Sequence, residues 1–120
     1  MIMVPAGVRI HLALGATDMR KGFDGLALLV QDVLRGDPFG GHMFIFRGKR
    51  ATAVKILFHD GNGMCLFAKR LDQGAFTWPT TQPHADGTMS VTLTPAQLSM
   101  LLEGLEWRAP VQTRRLMIAG

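Results

Sequence analysis

The 120-residue sequence has one cysteine, Cys65, and no tyrosine. A lone cysteine excludes an internal disulfide and suits a reducing compartment. Only 18% of the residues are charged and 48% are apolar, which excludes a disordered chain. No apolar run approaches the ~18 residues of a membrane span. The opening Met1-Ile2-Met3-Val4-Pro5 lacks the basic stretch and long apolar core of a signal peptide. There is no internal repeat, low-complexity segment or linker. The expectation is one soluble, cytoplasmic domain over residues 1–120, large enough to bury a core without disulfide or metal.

Positive charge is present in excess. Thirteen Lys and Arg face nine Asp and Glu, giving a net +4 and a pI near 10.0. Such a balance attracts polyanions, of which nucleic acid is the commonest in a cell, although +4 also serves solubility alone.

The pattern of elements predicts an α+β fold: an antiparallel β-meander or curled sheet packed with a helix in the N-terminal half and a C-terminal helix. Val8 to Leu14 reads as a strand closed by Gly15. Thr17 and Asp18 are N-cap residues for a helix running to about Arg35. Phe23, Leu26, Ala27, Val30, Val33 and Leu34 give it one apolar face. Gly22 and Gly25 in its first turns imply a later start or a close neighbour. Three strands follow, at His42 to Arg47, Ala53 to His59 and Met64 to Arg70. Asp60-Gly61-Asn62-Gly63 joins the last two and is a strong hairpin signal.

That turn fixes which residues share a face. Val54, Ile56 and Phe58 fall with Cys65, Phe67 and Lys69 on a face expected to meet the core. Lys55, Leu57 and His59 fall with Met64, Leu66, Ala68 and Arg70 on a mixed face, with Lys55, His59 and Arg70 expected to face solvent or a ligand. Short strands are expected at Ala75 to Trp78 and Met89 to Leu93. Thr94-Pro95-Ala96-Gln97 is a capping box with proline at N1. Leu98, Leu101, Leu102 and Leu105 give the helix that follows a buried stripe.

Several motifs lie along this frame in a distinctive order. They are Thr17-Asp18-Met19-Arg20-Lys21-Gly22-Phe23-Asp24-Gly25-Leu26, Asp37-Pro38-Phe39-Gly40-Gly41, Phe44-Ile45-Phe46-Arg47-Gly48-Lys49-Arg50 and Lys55-Ile56-Leu57. Asp60 to Leu71, Gly74-Ala75-Phe76-Thr77-Trp78-Pro79 and Leu93 to Leu98 continue the series, which closes with Leu102-Glu103-Gly104-Leu105 and Trp107-Arg108. In this order they resemble the TnpB, or second-open-reading-frame, accessory proteins of insertion sequences of the IS-sixty-six group. These are unrelated to the RNA-guided nuclease that shares the name. The resemblance covers about Ile10 to Arg108, with Phe58-His59 departing from a Trp-rich pair. It implies an accessory protein of bacterial transposition, working beside a separate transposase.

Catalysis finds little support in the residues. Metal-dependent transposition chemistry needs carboxylates converging on two divalent ions, whereas Asp18 reads as a cap and Asp37, Asp60 and Asp86 as turn residues. Asp60-Gly61-Asn62-Gly63 lacks the later ligands of a calcium loop. His59 and Cys65 fall on opposite faces, and His11, His42 and His84 are scattered. No enzyme activity, metal or other cofactor is expected.

Binding constellations are clearer. Arg47, Lys49 and Arg50 occupy a loop tip; Lys55, Lys69 and Arg70 lie on the two adjoining strands. Together they would contact phosphates without reading sequence, or else protect exposed strand edges. Arg20 and Lys21 at the start of the first helix would suit an anion, unless that helix begins near Asp24. Trp78 and Trp107 with Arg108 would anchor a partner, or else close a small core. The tail Arg114-Arg115-Leu116-Met117-Ile118 is basic, then apolar. The leading expectation is non-catalytic binding of transposon-end DNA. The alternative is an adaptor that binds the transposase without touching DNA. The sequence fixes no oligomeric state.

Overall fold

The computed structural model of the protein describes residues 4–80 and 87–108. His84, Asp86 and the tail from Arg114 to Ile118 lie outside the described residues. The described chain forms β1 (Ile10–Ala16), α1 (Phe23–Asp32), β2 (Met43–Arg47), β3 (Ala53–His59), β4 (Met64–Arg70), β5 (Ser90–Leu93) and α2 (Pro95–Leu102). The strands make one open sheet in the order β4-β3-β2-β1-β5.

The fold is α+β, as the pattern predicts. Strands β2, β3 and β4 form the expected antiparallel meander. Strand β1, in contrast, pairs parallel with β2 and antiparallel with β5, so the whole sheet is mixed. A parallel neighbour needs a crossover, and α1 is that crossover.

Alternation along the strands sends side chains to two apolar layers. Ile10, Leu12, Met43, Ile45, Val54 and Ile56 face α2, where Leu98, Leu101, Phe76 and Trp107 complete one core. Ala13, Phe44, Phe46 and Leu57 face α1, where Leu26 and Val30 complete a second. The run Met43 to Phe46 is buried at every position, as a central strand covered on both faces should be.

The hairpin register is as expected. Phe58 pairs with Cys65, Ile56 with Phe67 and Val54 with Lys69. On the other face Arg70 is exposed as expected, while Lys55 and His59 are half-buried because that face is covered. Helix α1 lies over it, Leu57 is fully buried, and Met64 and Leu66 pack on the α1 core.

Three other expectations change. Helix α1 starts not at the Thr17-Asp18 cap but at Phe23, the later start that Gly22 and Gly25 imply, with Gly22 as an N-cap that offers no side-chain bond. Asp18 instead closes a turn, its Oδ1 accepting the Arg20 backbone N–H at 2.9 Å. A shorter helix leaves Phe23 and Val33, at its two ends, half exposed. Ala75 to Trp78 is not a strand; it is held by single bonds such as Phe76 N–H to the Ala51 carbonyl at 2.7 Å. Helix α2 ends at Leu102, so Leu105 lies beyond it and is exposed. Its start is as read: the Thr94 hydroxyl accepts the Gln97 N–H, and the Gln97 side chain accepts the Thr94 N–H.

Candidate nucleic-acid interface

The C-terminal ends of β1 and β2, the start of β3 and the end of β4 all lie at one end of the sheet. Register alone dictates this, since Ala16 pairs with Arg47 and Ala53 with Arg70. The tight turn Gly48-Lys49-Arg50-Ala51 joins β2 to β3 there. Ala51 N–H bonds the Gly48 carbonyl at 3.0 Å, and Gly48 N–H bonds Ala53 at 3.0 Å. A turn this short cannot bury its central side chains, so Lys49 and Arg50 project into solvent.

The segment before α1 packs on this turn. Thr17 N–H bonds the Arg47 carbonyl at 2.8 Å. A Cβ on Gly48 would stand 2.9 Å from Met19 Cγ, so glycine there lets the two segments meet. The Lys55 ammonium donates to the Lys21 carbonyl at 2.8 Å. Arg20, Lys21, Lys49, Arg50 and Arg70 are thereby gathered, exposed, around one end of the sheet.

These cations differ in how far they are engaged. Arg20 is tied to Asp18 through three side-chain bonds, the shortest 2.7 Å. The guanidinium holds the Asp18 carboxyl well below its ordinary range. Arg20 therefore offers little net charge, and the anion site expected at the head of a helix is corrected, since Arg20 and Lys21 precede α1. Arg47 is half-buried. It donates to the Gly48, Lys49 and Leu14 carbonyls and lies 5.9 Å from the Trp78 ring centre. It thus shapes the turn that displays Lys49 and Arg50. Lys55 is half-buried as well.

Lys69 leaves the candidate surface altogether. It points to the α2 side of the sheet, where its ammonium donates to the Leu102 carbonyl at 2.6 Å. A cation at a helix C-terminus satisfies an orphan carbonyl and complements the dipole. Its position among apolar residues signals this internal role, but only the register shows which carbonyl it meets. Arg70, the next residue, points the other way and is exposed.

The aromatic pair is also redistributed. Trp107 is only 6% exposed, and its indole N–H donates to the Thr77 carbonyl at 2.8 Å. It is a core residue, which corrects its place among partner-binding candidates. Trp78 is half-buried, with its indole N–H on the Ala13 carbonyl at 2.8 Å. Arg108 donates to the Trp78 carbonyl at 3.1 Å and pairs with Glu106 at 2.9 Å. That pairing lowers the Glu106 pKa to about 2. The missed feature is a cavity of about 260 Å³ between α1 and β1, lined by Ala13, Leu29, Val33, Phe46 and Met89 among others. Its signal was an excess of apolar residues on α1 over those one face can bury.

Among the described residues, no group of three or more His, Cys, Asp or Glu side chains is placed to hold a metal. Among the same residues, no helix is long and apolar enough to cross a membrane. The candidate surface is a tight turn and an adjoining strand end bearing exposed cations.

A family model described as IS66 Orf2 like protein matches residues 8–112. Two curated proteins of Sinorhizobium fredii strain NGR234 are similar over nearly their whole length. The uncharacterized protein y4hO is 48% identical over 115 residues, covering 94% of this chain and 96% of its own. The uncharacterized protein y4jC is 38% identical over 116 residues, covering 93% and 95% respectively. No solved structure matches the chain.

Proposed function

The chain belongs to the IS66 Orf2-like family of insertion-sequence accessory proteins, and from that premise we propose that it holds element DNA for the transposase without itself catalysing a reaction. The surface that meets DNA is the basic end of the sheet. The observation that carries this reading is the exposure there of Lys49, Arg50 and Arg70 on a tight turn and strand end, none of them paired with a carboxylate among the described residues. Lys21 extends the surface along the segment before α1.

Contacts of this kind neutralise phosphates and release counterions, so they give affinity and position rather than sequence choice. The two helices of the described fold are separated by the sheet and form no helix-turn-helix pair, which argues against reading bases in a major groove. Setting and role are consistent with each other: a protein encoded with a transposase needs to be near DNA.

The test is duplex binding by the wild type and by a variant with Lys49, Arg50 and Arg70 changed to Ala. Removing three phosphate contacts should weaken binding at low salt by one to several orders of magnitude. Unchanged affinity in the folded variant would move the function to protein contacts. The adaptor reading has its own support in the cavity between α1 and β1, beside the half-exposed Val33. Direct capture of purified transposase by the triple variant would favour it.

A further inference from the structure

The two edges of the sheet are built differently. Strand β5 is a four-residue edge carrying Ser90 and the exposed Thr92. Strand β4 is a seven-residue edge, paired to β3 at every position without a bulge. It contains no proline, and its interior residues are Cys65, Leu66, Phe67 and Ala68. Natural sheets normally blunt such an edge with a bulge, a proline or a free lysine. The one lysine of β4, Lys69, is turned away to the Leu102 carbonyl.

The direction of the backbone groups follows from the ladder. Leu71 N–H bonds the Thr52 carbonyl at 3.0 Å, and Asp60 N–H bonds the Gly63 carbonyl at 3.0 Å. Antiparallel pairs alternate between bonded and non-bonded. Between those two bonds the bonded pairs are therefore Val54 with Lys69, Ile56 with Phe67 and Phe58 with Cys65. The N–H and C=O groups of Met64, Leu66, Ala68 and Arg70 point outward, and no described residue bonds them.

We propose that the β4 edge is a homodimer interface, on which a second copy of this chain adds its own β4 in antiparallel register to make a continuous ten-stranded sheet. Charge selects this partner and this direction. One end of β4 carries the exposed Arg70; at the other end the adjoining turn carries the exposed Asp60. Asp60 is held ionised, chiefly by the N–H of Asn62, then by the Cys65 side chain and the Gly63 N–H. An antiparallel copy brings each Arg70 toward the other's Asp60. A parallel strand of the same sequence would set Arg70 against Arg70 and Asp60 against Asp60. The edge is thus complementary to itself through a two-fold axis, the commonest form of homo-oligomer. The two basic ends would then lie at opposite ends of the joined sheet, offering two DNA-contacting surfaces.

The test is solution mass by sedimentation equilibrium with no DNA present, so its result is separate from that of the DNA reading. Wild type should show a concentration-dependent dimer. Ala68→Pro removes one outward N–H without touching a bond to β3, and should be a monomer with unchanged far-ultraviolet circular dichroism. Arg70→Glu leaves the backbone intact and should raise the dimer dissociation constant at least about tenfold, with or without success in folding the proline variant. A wild type of monomer mass at every concentration would overturn the proposal. So would a dimer of undiminished affinity in Arg70→Glu or in folded Ala68→Pro.

Discussion

The two ends of the sheet carry polar side chains of different standing. At the end where β1 and β2 finish, Lys49, Arg50 and Arg70 are exposed and have no carboxylate partner among the described residues. At the opposite end the Arg9 side chain is exposed as well, but His11, His42, His59 and Asp60 are engaged with the fold. His42 Nδ1 accepts the Arg9 N–H at 2.9 Å, and His59 Nδ1 accepts the Gly61 N–H at 3.2 Å. Asp60 Oδ1 accepts the N–H groups of Asn62 and Gly63 at 3.1 and 3.0 Å. His11 stacks on Phe44 with ring centres 5.1 Å apart and meets the edge of His42 at 6.0 Å. These four side chains close turns and fill space. Those at the first end stand together against their mutual repulsion, the arrangement expected where an external polyanion supplies the opposite charge.

Substitutions that confuse the two classes should separate stability from binding. The largest effect on stability is expected at Trp107, a core residue near the basic surface. Trp107→Ala should cost about 3–5 kcal/mol in urea unfolding, because it leaves a cavity and an unbonded Thr77 carbonyl. A loss below about 1 kcal/mol would mean that the indole is not part of the core.

The neighbours Lys69 and Arg70 sharpen the contrast within two residues. Lys69→Met should lower stability by about 1–3 kcal/mol, since the Leu102 carbonyl loses a charged donor, and should leave DNA affinity nearly unchanged. Arg70→Ala should do the reverse, weakening DNA binding with a stability change within about 0.5 kcal/mol. Equal effects of both on binding would dissolve the distinction between engaged and free cations.

The smallest effect belongs to the histidine end. Burial first, then the charges of His42 and Arg9, hold the His11 pKa below its ordinary 6.5. The unfolded chain therefore binds a proton at a pH where the folded one does not. Stability contributed by neutral His11 is fully present above pH 6.5 and declines as pH falls toward the lowered folded value. His11→Gln should flatten the decline below pH 6.5 in unfolding midpoints. An unaltered decline would assign it to other groups.

How much of this could be read in the sequence depended on whether the signal was local. The β3–β4 hairpin is legible because Asp60-Gly61-Asn62-Gly63 fixes the register and alternation does the rest. The capping box at Thr94 is legible because both of its bonds lie within one turn of chain. The start of α1 is legible only as a choice: Asp18 closes a turn with the same side-chain acceptor that would cap a helix, while Gly22 and Gly25 point to the later start that the fold adopts. The parallel pairing of β1 with β2 has no local signal, since it depends on where a crossover helix docks. Without it, the Leu57 face looks open, and Lys55 looks free. Lys69 and Trp107 are left with two readings each by the sequence for a related reason: each is defined by a partner about thirty residues away, the Leu102 carbonyl and the Thr77 carbonyl. The turn cations Lys49 and Arg50 were legible, because a tight turn exposes its tip whatever the rest of the fold does.

The most direct measurement is the salt dependence of DNA affinity, taken on wild type and on the Lys49→Ala, Arg50→Ala, Arg70→Ala triple variant. For the wild type, the logarithm of the association constant should fall linearly with the logarithm of salt concentration. The magnitude of that slope should drop by about 0.9 for each phosphate contact removed, or roughly 2.7 in the triple variant. Equal slopes for the two proteins would contradict the claim that the basic end of the sheet is the surface that meets DNA.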